Sequence, residues 1–485
     1  MSRRVPARPA ALPADRSTLR TLAEQAFSRT AGAPLIGGNR VSVLRDATEN
    51  YPAWEAAIAA ARSSVHLEMY IIRRDRVGRR FVDLLADKAR QGVDVRVVYD
   101  WLGCGWAPAL GLFRPLVAAG GHVRAFNPPS IMSALGWVRR NHRKLVIVDG
   151  RVAFVAGLCI GEVWTGRPER GQEPWRDTGL EMTGPIVGKA EEAFAESWRL
   201  TGGSADERRA PQEIVHEPTG PVHVRLIPTE PFTANMLRLD LFVATLARRS
   251  LWIADAYFIG TGPYLEALKR AAADGVDVRL LLPQGSDVAW TVPVSRSLYR
   301  PLLEAGVRIF EWQGTMIHAK TAVADSIWAR VGSTNLNLNS WVGNWEMDVA
   351  IEDGGVAETL RAHYEEDLSR STEIVLGAGR DGAPSRARPS AARPAGHRSS
   401  RRVVRAVTGM SRSIGAAISG NRPLEDFELG PIVVMGVVLA LVTIVGLFAP
   451  RLLAWPVALF TGWTALTFLV EGWSVWRRGR SKDGH

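Results

Sequence analysis

The sequence has very little cysteine and very little lysine. Its two cysteines, Cys104 and Cys159, show no CxxC or Cys/His spacing in 485 residues, which excludes a disulfide framework and offers no zinc-site pattern. We expect both to be buried thiols. Only six of the 60 basic residues are lysines. A lysine retained in so arginine-rich a chain indicates a need for a compact ammonium rather than a planar guanidinium.

Two of these lysines lie in a motif that occurs twice. In a strand, residues i and i+2 project from the same face, so a histidine and a lysine two positions apart can converge on one ligand. Imidazole can attack phosphorus or protonate an alkoxide, and ammonium binds phosphate oxygens. The duplication therefore predicts a phosphodiester-cleaving site that requires no metal. Both copies have the spacing His-x-Lys-x-x-x-x-Asp, at His142, Lys144 and Asp149 and again at His318, Lys320 and Asp325.

Phrases around and beyond the two motifs extend the pattern. With them the sequence resembles the phospholipase D superfamily, whose two-lobed members carry paired HKD motifs, and within it the bacterial cardiolipin synthase-like branch. The resemblance covers roughly residues 41 to 370. The phrases that carry it are Leu67-Glu68-Met69-Tyr70, Gly92-Val93-Asp94-Val95-Arg96, Asn141-His142-Arg143-Lys144, Trp175-Arg176-Asp177-Thr178, Gly275-Val276-Asp277-Val278-Arg279, Gly332-Ser333-Thr334-Asn335 and Asn344-Trp345-Glu346.

The resemblance implies a role for each motif histidine. His142 would form a phosphohistidine, while His318 would protonate the leaving group and then act as base for the acceptor alcohol. On sequence alone the two assignments are nearly interchangeable. A carboxylate downstream of each motif would hydrogen-bond the histidine's other nitrogen. The catalytic candidates are thus His142, Lys144, Asp149, His318, Lys320, Asp325, Glu346 and Asp177, with Asp149 and Asp325 expected to tie down the turn after each motif strand.

The resemblance also implies a set of phosphate-binding residues. Ser333 and Asn335 match the family's phosphate-side hydroxyl and amide. The first copy departs from this pattern, because Gly157 and Cys159 occupy the equivalent positions and a neutral thiol is a poor hydrogen-bond partner. Phosphate binding is expected to rest on Lys144, Lys320, Ser333 and Asn335.

An internal repeat predicts an α/β fold. A strand over Val65 to Ile72, a helix through Phe81 to Arg90 and a strand over Val93 to Tyr99 form one βαβ unit. The segment Trp252 to Pro283 repeats it, with a helix through Leu265 to Ala273 and a strand over Val276 to Leu282. We expect two pseudo-twofold-related phospholipase D-like lobes, each a mixed β-sheet flanked by helices.

The chain changes character after the second lobe. Residues Gly377 to Arg402 are poor in bulky apolar residues and indicate a flexible linker. Leu429 to Pro450 and Leu452 to Val470 contain no charged residue, which predicts a transmembrane helical hairpin rather than a buried soluble one. The predicted divisions are a basic N-terminal arm at 1–40, a first lobe at 41–215, a second lobe at 216–376, a basic linker at 377–428, the hairpin at 429–471 and a basic cytoplasmic tail at 472–485.

Charge distribution indicates the location and the partners. From residue 377 onward, 15 basic and 6 acidic residues account for +9 of the total net charge of +11. A nearly balanced catalytic body argues against nucleic acid, whereas a polybasic segment beside a membrane fits anionic lipid. Basic residues on both sides of the hairpin predict that both its ends, and the lobes, face the cytoplasm from the cell membrane. The expected partners are anionic phospholipids, phosphatidylglycerol above all.

Three functions remain open on the sequence. The first is a phosphatidyltransferase that joins two phosphatidylglycerols into cardiolipin and releases glycerol, without a cofactor. The second is a hydrolase, a phospholipase D or a nuclease, in which water replaces the acceptor alcohol. The third is an inactive, membrane-anchored lipid-binding protein, which the departure at Gly157 and Cys159 keeps in consideration.

Overall fold

The structure is a computed structural model that describes residues 16–128, 139–203, 216–376 and 384–386, with a few residues between 443 and 463. Most of the predicted linker and hairpin therefore lie outside the described residues. In the part of the chain that is described, no helix is long and apolar enough to cross a bilayer.

The described residues form a mixed α/β fold. The strands are β1 (Ile36–Arg45), β2 (Ser64–Met69), β3 (Asp94–Asp100), β4 (His122–Phe126), β5 (Lys144–Val148), β6 (Val152–Ala156), β7 (Thr178–Thr183), β8 (Val222–Thr229), β9 (Ser250–Ala254), β10 (Asp277–Pro283), β11 (Arg308–Trp312), β12 (Thr321–Ala324), β13 (Trp328–Gly332), β14 (Glu346–Glu352), β15 (Ser371–Leu376) and β16 (Pro384–Arg386). The helices are α1 (Arg16–Ala31), α2 (Asp46–Ala60), α3 (Arg76–Arg90), α4 (Trp101–Cys104), α5 (Arg114–Ala118), α6 (Glu162–Thr165), α7 (Ile186–Leu200), α8 (Asn235–Leu246), α9 (Gly262–Ala273), α10 (Thr291–Ser297), α11 (Tyr299–Glu304), α12 (Leu338–Val342) and α13 (Gly354–Ser369).

Both predicted βαβ units are present. Strands β2 and β3 pair in parallel around α3, and β9 and β10 pair in parallel around α9. Helix α3 begins after Asp75, whose carboxylate accepts the Gly78 amide at 2.9 Å and satisfies one of the free amides of the first turn. Strand β2 ends at Met69, earlier than predicted, and the next residue, Tyr70, packs edge-on against the His142 ring.

The strand order repeats from the centre of the sheet outwards. Strands β1 and β8 pair antiparallel in the middle. On one side follow β7, β6, β5, β2, β3 and β4, and on the other β14, β13, β12, β9, β10 and β11, with β15 and β16 added at that edge. Each of the strands β8 to β14 is thus the seventh after its counterpart among β1 to β7. The expected mixed-sheet α/β architecture is confirmed.

The two motif strands occupy matching places and share one core. In β5, Val146 and Val148 pack beneath α2 and α3, whereas Leu145 and Ile147 belong to a core that also contains Val323 of β12. This alternation has the period of two that is expected for a strand buried on both faces. Because the core between the halves is continuous, the residues that precede β5 and β12 are brought together.

Candidate active site

The two motif histidines are each held by a carboxylate of the opposite half. His142 Nδ1 lies 2.8 Å from Glu346 Oε2, and His318 Nδ1 lies 2.7 Å from Asp177 Oδ2. A carboxylate accepts the Nδ1 hydrogen, so the geometry assigns the tautomer that leaves a lone pair on Nε2. The expectation that paired each carboxylate with the histidine of its own motif is wrong, because the segment before each histidine pairs with the segment that carries the other half's carboxylate, as Asn141 with Trp345 and Arg176 with Ile317.

Backbone hydrogen bonds reinforce this crossing. The amide of His142 donates to the carbonyl of Trp345 at 2.8 Å, and the amide of His318 donates to the carbonyl of Arg176 at 2.7 Å. Each histidine is thus fixed through its main chain to the residue beside the carboxylate that holds its ring. The imidazoles are positioned by the contact between the halves, and neither half contains a complete unit.

The motif lysines bend back toward the histidines. Lys144 Nζ donates to the His142 carbonyl at 2.6 Å, and Lys320 Nζ donates to the His318 carbonyl. The regular strands begin only at Lys144 and directly after Lys320, so the histidines precede the strands instead of lying within them. The ammonium and the imidazole still share one site, but through this bent segment.

Aromatic rings surround the polar groups. The Lys144 ammonium lies 5.3 Å from the ring centre of Tyr70, and the Lys320 ammonium lies 5.8 Å from that of Tyr257. Such cation–π contacts stabilise a charge without neutralising it. Trp164 also contacts the His318 ring edge-on.

Burial decides the protonation states. It lowers the pKa of both His142 and His318 to about 4, against the opposing effect of their carboxylate partners. Burial likewise lowers the pKa of Lys320 to about 8 and that of Lys144 below its ordinary value. At neutral pH the imidazoles are therefore neutral, which a nucleophile requires.

These shifts make folding stability depend on pH. In the unfolded chain the histidines titrate near 6.5, so between pH 6.5 and 4 the unfolded state binds more protons than the folded state. The contribution of the two histidines to the free energy of unfolding should then be constant above pH 6.5. Below that pH it should fall, on the order of 1 kcal/mol per pH unit for each histidine. Denaturant unfolding of the full chain between pH 4.5 and 7.5 measures this slope.

The control for this prediction is the double variant His142→Asn, His318→Asn. Its unfolding free energy should depend less steeply on pH than that of the wild type over the same interval. Parallel profiles for the two proteins would show that the histidines do not titrate as their burial requires.

The phosphate-side residues of the second motif differ in availability. The Ser333 hydroxyl donates to Glu346 Oε2 at 2.6 Å and accepts the Met347 amide at 2.9 Å. Its one hydrogen is therefore directed at the carboxylate, and the residue sits behind Glu346 rather than free toward a phosphate. The Asn335 amide nitrogen lies 3.4 Å from the Ser340 hydroxyl, and its buried oxygen has no hydrogen-bond partner among the described residues.

The glycine at 157 has a steric reason. A Cβ built there would lie 2.2 Å from Asp177 Oδ1, so a serine like Ser333 would collide with the carboxylate that holds His318. The Asp177 carboxylate instead accepts hydrogen bonds from the Thr178 amide at 2.8 Å and from the Trp164 indole at 3.3 Å. Glycine at 157, where the second motif has Ser333, thus reflects a different way of holding the carboxylate: the Thr178 amide and the Trp164 indole hold Asp177, whereas a serine hydroxyl holds Glu346.

We predict that Gly157→Ser lowers turnover by about 10²-fold, because it displaces Asp177 and misaligns His318. The rate should be measured on the purified full chain together with its melting temperature. The matched control is Gly262→Ser, where an added Cβ meets nothing within 4 Å. Full activity in Gly157→Ser would contradict the steric argument.

Asp149 and Asp325 are not brought to the histidines. Each follows its strand at the end away from the motif histidine, and each accepts backbone amides. Asp149 binds Ser63 at 2.7 Å, and Asp325 binds Arg249 at 2.7 Å. The expectation that they tie down the turns is confirmed, and their grouping with the catalytic candidates is corrected.

Several site residues escaped the sequence reasoning. Arg143, the variable position of the first motif, donates to the Glu346 carbonyl at 3.1 Å and to the Ser197 hydroxyl at 3.1 Å. Tyr70 belongs to a phrase that carried the resemblance, but no role was assigned to it. The signal for Arg143 was an arginine directly between the motif histidine and lysine. Cys104 and Cys159 are buried free thiols, as expected.

Comparison with known proteins agrees with the resemblance found in the sequence. The family model described as "Cardiolipin synthase, PLD-like domain" matches residues 55–160 and 244–368. The protein named "Probable cardiolipin synthase YwiE" of Bacillus subtilis is 33% identical over 364 residues, covering 73% of this chain and 71% of that protein. The chain belongs to the cardiolipin synthase family of phospholipase D-like proteins. A cardiolipin synthase of Geobacillus thermodenitrificans is likewise 33% identical over 347 residues, covering 70% of this chain and 68% of that protein.

A solved structure shares the fold of this cardiolipin synthase family member. The crystal structure of phosphatidylserine synthase from Haemophilus influenzae superposes with a TM-score of 0.56 at 12% identity, covering 72% of this chain and 91% of that one. Both HKD motifs and Glu346 fall inside the ranges of the family model, and Asp177 falls in the gap between them.

Proposed function

We propose that this cardiolipin synthase family protein is a phosphatidyltransferase that joins two phosphatidylglycerol molecules into cardiolipin and releases glycerol. The observation that carries the proposal is the pair of crossed histidine–carboxylate hydrogen bonds beside two buried lysines. The curated relatives named above as cardiolipin synthases support the substrate class and the reaction.

In the first step His142 Nε2 attacks the phosphorus of one phosphatidylglycerol. A P–N bond forms and the P–O bond to glycerol breaks, while the hydrogen stays on His142 Nδ1 and the Glu346 carboxylate that accepts it stabilises the positive ring. His318 donates a proton to the departing alkoxide. Because burial keeps the pKa of His318 low, the negative charge of the bound phosphodiester must raise it, so His318 takes up a proton from solvent when substrate binds.

In the second step the glycerol hydroxyl of another phosphatidylglycerol attacks the phosphohistidine. His318 accepts the hydroxyl proton, a new P–O bond forms, and the P–N bond breaks. Lys144 and Lys320 bind the non-bridging oxygens throughout, with the Asn335 amide on the same side. Ser333 holds Glu346 in place rather than contacting the phosphate.

Burial of the site favours an alcohol over water as acceptor. The side chains of His142 and His318 are 10% and 6% exposed, and the rings of Tyr70 and Trp175 pack against them. A phosphohistidine in such surroundings meets few water molecules, whereas a lipid headgroup is delivered by its own acyl chains.

The activity is tested by incubating the purified full chain with phosphatidylglycerol labelled in its acyl chains. Labelled cardiolipin is expected, with one glycerol released per cardiolipin. Phosphatidic acid as the main product would mean hydrolysis, and the absence of both from an enzyme with intact folding would mean an inactive site. The His142→Ala, His318→Ala double variant gives the background.

The arrangement of the whole chain is part of the proposal. We place one catalytic lobe at 41–215 and the other at 216–376, each overlapping one segment of the family match. The basic segment at 1–40, which includes α1 and the first residues of the central strand β1, the linker at 377–428, the hairpin at 429–471 and the tail at 472–485 complete the chain. The hairpin anchors the lobes to the cytoplasmic face of the cell membrane, and its uncharged segments and basic flanks support this.

We predict that a cysteine introduced beside Arg451, between the two uncharged segments, reacts with a membrane-impermeant thiol reagent added to intact cells. A cysteine beside Lys482 should react only after the cells are opened. Labelling of both positions from outside would mean a single crossing. Labelling of neither in intact cells, with full labelling of both after opening, would mean that the hairpin does not span the membrane.

A further inference from the structure

Five large apolar side chains are exposed to solvent on segments that adjoin the active site. We call them the apolar rim: Leu102 (46% exposed), Trp106 (82%), Phe232 (75%), Trp290 (62%) and Leu338 (56%). Exposed apolar side chains that are scattered singly are ordinary, but a group that surrounds one site indicates a partner.

The first part of the rim is tied to the first motif. Asp100 ends β3 and accepts the Gly103 amide at 2.8 Å, which starts the helical turn that carries Leu102 and leads to Trp106. The other carboxylate oxygen of Asp100 accepts the Asn141 amide at 2.8 Å. Since Asn141 directly precedes the first motif histidine, this segment borders that histidine.

The second part lies beside the same motif. Arg139 lies three residues before His142 in the sequence, and its guanidinium is 4.7 Å from the ring centre of Phe232. The Phe232 amide donates to the Val342 carbonyl at 2.9 Å. Val342 ends α12, and Leu338 begins that helix. Phe232 and Leu338 are therefore joined through one short helix.

The third part reaches the second motif. The ring of Tyr257 lies 5.9 Å from that of His318. Its hydroxyl donates to Asp287 at 2.6 Å, and its carbonyl accepts the Asn337 side-chain amide at 3.1 Å. Asp287 lies three residues before Trp290, and Asn337 directly precedes Leu338. Hydrogen bonds and ring contacts thus connect the surroundings of both histidines to the short segments that carry the five rim residues.

We propose that the apolar rim inserts into the surface of an anionic phospholipid bilayer and seats the opening of the active site against it. The inference rests on the proposed function, since it names the surface from which that site takes lipid. Aromatic and aliphatic side chains beside an arginine are typical of segments that lie in the headgroup region, where Arg139 would meet lipid phosphates.

A bilayer fits this surface better than a second copy of the chain. A protein seated on the rim would cover the approach to His142 and His318. A bilayer delivers substrate there, because the acyl chains remain in an apolar phase while the headgroup rises to the buried histidines. The hairpin proposed above would hold the lobes near the membrane, and the rim would set their orientation.

The direct test places a spin label on the rim of the full chain in nanodiscs that contain phosphatidylglycerol. Labels are attached to Trp106→Cys, Phe232→Cys and Trp290→Cys, with the buried native Cys104 and Cys159 in place. The control is Ile327→Cys, 65% exposed in the turn between β12 and β13, at the strand end away from the site. The three rim labels should be relaxed more by oxygen than by a water-soluble nickel chelate, and the control label should show the reverse.

Two results would overturn the proposal. Rim labels that resemble the Ile327 control would place the rim in water. Rim labels shielded from both reagents, and equally shielded in detergent without a bilayer, would indicate a second copy of the chain on this surface. Neither reading depends on catalysis. A chain that makes no cardiolipin but shows oxygen-accessible rim labels would refute the proposed function and leave the rim proposal intact.

Activity provides a second readout. Trp106→Glu and Phe232→Glu should each lower turnover on phosphatidylglycerol bilayers about tenfold, because each removes an apolar side chain from lipid and adds a charge. Turnover on a short-chain, monomeric phosphatidylglycerol should change little, and Ile327→Glu should behave as wild type on both substrates. Equal losses on both substrates would show damage to the fold or the site instead.

Discussion

Replacing His142 by Ala is expected to abolish the covalent phosphoenzyme, because no other imidazole Nε2 is held in its place. Replacing His318 by Ala should leave the nucleophile intact and slow turnover of phosphatidylglycerol by about 10² to 10⁴-fold, the usual effect of removing a general acid–base group. Enzyme mixed with phosphorus-labelled substrate, quenched in alkali and split into acid-treated and untreated samples, measures the acid-labile adduct.

An activated substrate separates the two roles. A phosphatidyl ester of p-nitrophenol needs no proton on its leaving group, so the His318→Ala variant should release one equivalent of nitrophenolate in a burst and then stall. His142→Ala should show no burst. If His318→Ala alone loses the burst and the adduct, the nucleophile is His318 and the assignment is reversed.

The crossed hydrogen bonds lead to the second large effect. Glu346→Gln keeps the shape of its side chain but can no longer stabilise a positive His142 ring, so adduct formation should slow by about 10² to 10⁴-fold. Asp177→Asn should act through His318, forming the adduct from the activated ester normally and stalling afterwards. The measurement is again the burst and the steady-state rate of nitrophenolate release.

This pair of variants discriminates between the two possible pairings. If each carboxylate served the histidine of its own half, Asp177→Asn would lose the burst and Glu346→Gln would keep it. Identical behaviour of the two variants, with lower melting temperatures, would indicate that both carboxylates serve only the fold. The matched control is Asp149→Asn, which changes a carboxylate that binds backbone amides at the far end of β5.

Local patterns in the sequence predicted the repeated units well. The alternation of apolar residues in β2, β3, β9 and β10 and the helical spacing of α3 and α9 are properties of short segments, and the structure confirms them. The two motif strands and the turn role of Asp149 followed from the same kind of local evidence. The duplicated spacing also indicated two matching halves, which appear as the repeated strand order.

Contacts between distant residues could not be predicted in this way. Glu346 and His142 are 204 positions apart, and nothing in the spacing of either motif states which half supplies which carboxylate. The role of Ser333 changed for the same reason, because its hydroxyl is engaged by a neighbour that only the fold brings near. From the sequence, glycine at 157 indicates only the loss of a hydroxyl, whereas the structure shows that its lack of a side chain leaves space for the Asp177 carboxylate.

The crossed pairing also governs when the nascent protein can become reactive. While the ribosome synthesises the chain, His142 emerges without the carboxylate that orients it. That carboxylate follows 204 residues later, which at roughly 5–20 residues per second is a delay of about 10–40 s. Until the second half has emerged and docked, the first half has a motif but no oriented imidazole. Incomplete chains and early termination products therefore lack the oriented nucleophile that phosphodiester cleavage requires.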